Sequence, residues 1–121
     1  MKNSKSAACT IYHNPRCSKS RATLALLQER GITPTVVEYL KEPPTAHTIK
    51  LLLKLLGVDA GALVRTGEPI YGELFADKAP TAAQVIAAMA AHPELMERPV
   101  VVVGTRAALG RPPENVLQLL K

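Results

Sequence analysis

Cys17 stands inside the run His13-Asn14-Pro15-Arg16-Cys17-Ser18-Lys19-Ser20-Arg21, between a short β-prone stretch and a segment with helical periodicity. A thiol at the start of a helix meets unsatisfied backbone N–H groups and roughly half a positive charge, and both favour thiolate over thiol. Arg16, Lys19 and Arg21 add cationic field at the same place. The same N–H groups can cradle an oxyanion, so this position is suited to act as nucleophile and anion anchor together. Ser20 and Arg21 lie three and four residues beyond Cys17 and share its helical face. Ser20 is expected to donate a hydrogen bond to the sulfur, and Arg21 to hold charge near it. His13, as an imidazolium, would favour the thiolate too, and with Asn14 it completes the candidate anion-binding loop.

The other titratable residues point to no second site. Cys9 is three residues upstream of Tyr12, at the far end of the first apolar run, and reads as a core thiol. Two cysteines without a C-x-x-C spacing make neither a disulfide framework nor a metal site. His47 and His92 fall at helix ends or on the surface, with no ligand role. No metal or bound organic cofactor is expected.

The elements that must hold the loop follow from periodicity. "CTIY" (9–12) reads as a buried strand, residues 18–30 as a helix with Leu24, Ala25 and Leu27 on its apolar face and Gly31 as its stop, and "PTVVEYL" (34–40) as a second strand. A β-loop-α-β opening predicts a parallel pair with a right-handed crossover. Pro43 and Pro44 then break the chain. A helix is expected from Thr45 to Leu56, closed by Gly57, with Leu51, Leu52, Leu55 and Leu56 as its stripe. "DAGALVR" predicts a short helix ending near Arg65, and "PIYGELFADKAP" an irregular or short helical piece. Thr81 caps a further helix that ends at the His92-Pro93 step. Val100–Val103 reads as a central strand buried on both faces. "RAAL" returns antiparallel as a hairpin, and a last helix runs over about 113–120 with proline near its first turn. The fold class expected is α/β: a mixed four-stranded sheet with a helical insertion, about 44–92, between its halves, as one domain spanning 1–121.

Composition bounds the function. The chain has 121 residues, 47% hydrophobic and 21% charged, which suits one soluble globular domain. Residues 1–8 carry Lys2, Lys5 and two serines with no apolar run after them, so no leader is read there, and no stretch is long enough to span a bilayer. The reading is a cytoplasmic, monomeric protein with no membrane partner. The net charge is +5, yet the cations are spread out and the four aromatics are not interleaved with them, so no nucleic-acid partner is expected. A small anionic substrate accounts for the local positive field.

Four separated blocks carry a resemblance: "TIYHNPRCSKSRATL", "ALVR", "HPELMERPVVV" and "GRPPENVL". In that order they resemble the glutaredoxin-dependent arsenate reductase (ArsC) family over nearly the whole chain from Thr10, in a shorter-chain branch whose loop is more basic than the family's "PACGTSR" form. The resemblance implies a thioredoxin-like fold with a helical insertion, a catalytic cysteine at Cys17, and three oxyanion-binding arginines at Arg65, Arg98 and Arg111. Arginine suits that role because its planar fork pairs with oxyanion edges and stays charged. Arg106, a rival to Arg111, is read as hairpin surface. The resemblance further implies a cis Arg98–Pro99 bond. It also implies reduction of arsenate to arsenite through a covalent Cys17–arsenic adduct, with glutathione as external reductant and glutaredoxin as the partner that clears the resulting disulfide. Two other readings fit the loop: a redox transcription regulator of the Spx type, and a general monothiol oxidoreductase.

Overall fold

The computed structural model describes residues 8–76 and 78–120. The leader reading of residues 1–8 therefore falls, apart from Ala8, outside the described residues. The chain forms two compact units. One is built from its two ends, up to Tyr39 and again from Arg98, and the other is Leu40–Glu97.

The first unit holds the sheet. β1 (Cys9–His13), β2 (Thr35–Glu38), β3 (Val100–Val103) and β4 (Arg106–Leu109) lie in the order β2-β1-β3-β4. β1 pairs parallel with β2, placing His13 opposite Glu38, and antiparallel with β3; β3 and β4 form the expected hairpin. Gly104 turns that hairpin at φ 60°, a left-handed conformation that glycine adopts at no steric cost. β1 alternates strictly, so Cys9, Ile11 and His13 point to one buried face. Cys9 and Ile11 join Leu27, Val101, Ala108, Val116 and Leu119 in the core. β3 is buried on both faces at Val100 and Val101 and half-buried at Val102 and Val103, next to the turn.

α1 (Ser18–Glu29) is crossed over between β1 and β2, and Gly31 ends it at φ 80° with its N–H on the Gln28 carbonyl. Its inward face differs from the expected one. Ser20, Thr23 and Leu27 are buried, Leu24 is half-buried and Ala25 is exposed. Leu27 and Leu24 do pack on the core as expected, but two of the three buried residues are polar, so hydrophobic periodicity marks only part of the inward face. The last segment, Pro113–Leu120, is a 3-10 helix rather than an α-helix. Pro112 and Pro113 remove two amide donors at its start, and Asn115 bonds three residues back to Pro112. Arg98–Pro99 is cis, as is Arg111–Pro112.

The second unit is helical. α2 (Ala46–Leu56) is capped by the Thr45 hydroxyl, which accepts from the Thr48 N–H at 3.1 Å, and is closed by Gly57 at φ 72°. Its buried residues are Ile49, Leu52 and Leu53, while Leu51 is 48% exposed. The inward stripe therefore runs from Ile49 at three- and four-residue steps, not through Leu51. α3 (Ala60–Leu63) and α4 (Pro69–Phe75) are short. α5 (Ala82–Ala91) starts in a capping box formed by Thr81 and Gln84. A 3-10 turn, Pro93–Leu95, follows it directly. Among the described residues no helix is long and apolar enough to cross a membrane.

Candidate active site

The loop between β1 and α1 is held in shape by its own side chains. Asn14 Oδ1 accepts from the Arg16 N–H at 3.0 Å, and the Asn14 carbonyl accepts from the Cys17 N–H at 3.0 Å. The Asn14 N–H in turn donates to the Ser20 hydroxyl at 3.0 Å. These bonds occupy Asn14 as a shaper of the loop. They bring Cys17 to the N-cap of α1 in extended conformation, with its carbonyl accepting the Arg21 N–H.

The electrostatics at Cys17 follow from that placement. Burial alone would raise its pKa. The Ser20 backbone N–H, the Arg98 charge, the Lys19 backbone N–H and a hydrogen bond from Arg98 outweigh burial and hold the thiol below its ordinary value. No cap hydrogen bond of ordinary geometry closes on the sulfur. The Ser20 and Lys19 amides at the helix N-terminus favour the thiolate all the same. Cys9, by contrast, is 9% exposed and raised by burial, as befits a core thiol.

Three expectations for this loop are corrected. The Ser20 hydroxyl does not reach the sulfur. It is fully buried and engages His13 Nδ1 at 2.6 Å while accepting from Asn14, and the residue serves Cys17 through its backbone instead. His13 is not poised as an imidazolium. It is 6% exposed, and burial lowers its pKa, with Glu38 opposing and Arg21 reinforcing. His13 Nδ1 and the Ser20 hydroxyl share one buried hydrogen bond, and the Ser20 oxygen also accepts from the Asn14 N–H. The side chains of Arg16, Lys19 and Arg21 are not what tunes Cys17. Arg21 donates to the Pro15 carbonyl at 2.9 Å, and Arg16 and Lys19 are exposed.

The first unit also brings the two other expected arginines of its own together. Arg98 reaches Cys17. Arg111 donates from Nη1 to the Arg98 carbonyl at 3.3 Å, and its own carbonyl accepts from Asn115 Nδ2 at 3.1 Å. Arg106 is tied elsewhere, to the Gln118 carbonyl at 2.8 Å, on the hairpin surface. Arg65 lies in the second unit, where its guanidinium pairs with Glu68 at 3.1 Å and donates to the Glu94 carbonyl at 3.3 Å. No cluster of three or more metal-ligating side chains occurs among the described residues.

A half-buried thiol at a helix N-cap, beside a guanidinium whose backbone anchors a second, is an arrangement for thiolate attack on an anion. The comparisons with known proteins agree in family. The ArsC family model matches residues 12–119. The chain belongs to the ArsC family. It is 52% identical over 112 residues to the uncharacterized protein YfgD of Escherichia coli K12, covering 91% of this chain and 94% of that one. It is 42% identical over 112 residues to an arsenate reductase of Haemophilus influenzae, covering 91% and 97%. The solved structure of an arsenate reductase from Vibrio cholerae matches with a TM-score of 0.88 at 46% identity, covering 93% of this chain and 97% of that one. The sheet described above is thus the thioredoxin-like sheet of the ArsC proteins.

Sequence reasoning missed one buried residue next to the loop. Thr23 is fully buried beside the loop although it is polar, and only its i+3 spacing from Ser20 hinted at a common face.

Proposed function

We propose that this protein reduces arsenate to arsenite in the cytoplasm through Cys17. The observation that carries the reading is the Cys17 sulfur held below its ordinary titration by two helix amides and Arg98, despite a burial that opposes it. The Cys17 thiolate attacks arsenic(V), a sulfur–arsenic bond forms, and an oxygen leaves as water after protonation. Arg98 and Arg111 offset the charge on the remaining oxygens. A second thiol is then required. Residue 20 is serine, and Cys9 is a buried core residue at the opposite end of β1. Glutathione from solution fills that role. Its sulfur and that of Cys17 give up two electrons to arsenic and join as a mixed disulfide, while arsenic(III) departs as arsenite. Glutaredoxin restores the Cys17 thiol by exchange. Arg65 enters as the third arginine through its place in the "ALVR" block alone, and Arg65→Ala tests it.

The deciding experiment compares Cys17→Ser with Cys9→Ser in a glutathione- and glutaredoxin-coupled arsenate assay. The first should abolish turnover and the second should keep most of it. The reverse pattern, or wild-type turnover of a model glutathione mixed disulfide without any of arsenate, would assign the thiol to another reaction.

A further inference from the structure

Gly110 follows β4 and immediately precedes Arg111. It is buried, and its φ lies outside the left-handed region, so no backbone conformation demands glycine there. Space demands it. A Cβ at Gly110 would lie 2.9 Å from Pro99 Cγ, 3.0 Å from Thr23 Cγ2, and closer still to Thr23 Oγ1. No other glycine of the chain is so confined: Gly61 would meet Asp59 Oδ1 at 3.5 Å, and the rest would meet nothing within 4 Å.

Thr23, on the other side of this contact, is fully buried. Its hydroxyl donates to the Lys19 carbonyl at 2.8 Å, and the Gly110 carbonyl lies at 3.5 Å, the limit of a hydrogen bond. The Thr23–Gly110 contact is therefore chiefly one of packing. Lys19 is one of the two residues whose amides act on the Cys17 sulfur. Gly110 donates its N–H to the Pro99 carbonyl at 3.0 Å, and Arg111 reaches the Arg98 carbonyl. The first turn of α1, the Thr23 side chain and the backbone carrying Arg98 and Arg111 are thus stacked without slack.

We propose that Thr23 and Gly110 form a spacer that sets the gap between the first turn of α1 and the Arg98–Arg111 backbone, which makes Thr23 a positioning residue for the Cys17 nucleophile. Close-packed interiors transmit an added methyl as displacement rather than absorbing it. The attraction between Arg98 and the thiolate falls with separation, so displacement at the spacer is read at the sulfur. The inference rests on Cys17 being the reactive thiol, not on arsenate being its substrate.

The test is the rate of Cys17 alkylation by iodoacetamide, an uncharged reagent, against pH in the full-length chain, read peptide by peptide. Gly110→Ala should move the titration midpoint upward and slow alkylation about threefold at pH values below the wild-type midpoint, from a lower thiolate fraction partly offset by a more nucleophilic thiolate. Adding Thr23→Ala, which removes both Thr23 atoms that the new methyl meets and leaves only Pro99 Cγ, should return part of that loss. If Gly110→Ala does not fold, Thr23→Ala alone should shift the midpoint upward while Thr23→Ser, which keeps the hydroxyl on Lys19, shifts it less. A midpoint unmoved in Gly110→Ala, or in Thr23→Ala where that is the variant read, overturns the proposal even if melting falls. So does an equal shift in Gly110→Ala and the double variant. Wild-type protein without arsenate turnover but with these shifts would sink the proposed substrate and leave the spacer standing.

Discussion

Replacing Arg98 by methionine removes a charge and a hydrogen bond from the Cys17 sulfur while keeping an unbranched apolar stem for packing. A hydrogen bond to a charged group is worth about 1.5–3 kcal/mol. The sulfur is only half-buried, so screening by solvent brings this to about 1–1.5 kcal/mol, or about a tenfold loss of thiolate at a pH below the titration. Thiolate nucleophilicity rises as basicity rises, with a slope of about 0.4–0.5. The tenfold loss is therefore partly offset, and alkylation at a pH below the wild-type midpoint should fall only about threefold. At high pH, where every thiol is ionised, the variant should instead react about threefold faster. This crossing of the two pH profiles is the signature to look for, with iodoacetamide and stopped samples analysed at the Cys17 peptide. A parallel drop at all pH values would mean that Arg98 controls access and not ionisation. A superimposable profile would refute the electrostatic account of Cys17.

Three further outcomes are expected. Ser20→Ala leaves His13 Nδ1 and the Asn14 N–H without their buried partner, which should cost about 1–3 kcal/mol in urea unfolding, while the Cys17 titration, served by the Ser20 backbone, should move little. His13 has its pKa lowered in the fold from 6.5, so below about pH 6.5 the unfolded chain binds the extra proton first and stability must fall with acidification until the folded pKa is passed. Urea midpoints measured from pH 8 to pH 5 should show this decline, and His13→Gln should flatten it. Arg16→Ala with Lys19→Ala should leave the Cys17 alkylation midpoint in place but lower kcat/KM for arsenate about two- to threefold at low salt, and less at high salt, because exposed cations act by steering. A shifted midpoint in that variant would show that these side chains tune the sulfur after all.

The elements were largely legible in the chain because they rest on local physics. Thr45 and Thr81, by their hydroxyls, and the left-handed glycines at 31 and 57, by their backbone freedom, mark helix ends locally, and Val100–Val103 declares a central strand by its β-branched run. Cys17 at a helix start was equally local, since amides and dipole come with the helix. The inward faces of α1 and α2 were less legible. Ala25 and Leu51 look apolar yet lie outside, and Ser20 and Thr23 look polar yet lie inside, because burial is decided by what stands opposite a side chain. The same reason governs the roles around the sulfur. Sequence proximity suggested Ser20, His13 and the neighbouring cations as its partners. Tertiary structure instead pairs the Ser20 hydroxyl with His13 and brings Arg98 from far along the chain to the thiol. Residue types and caps thus determined which group would react and on which element. Only the packing of distant segments decided which charge reaches it, since separation in space, not in sequence, sets the strength of a Coulombic contact.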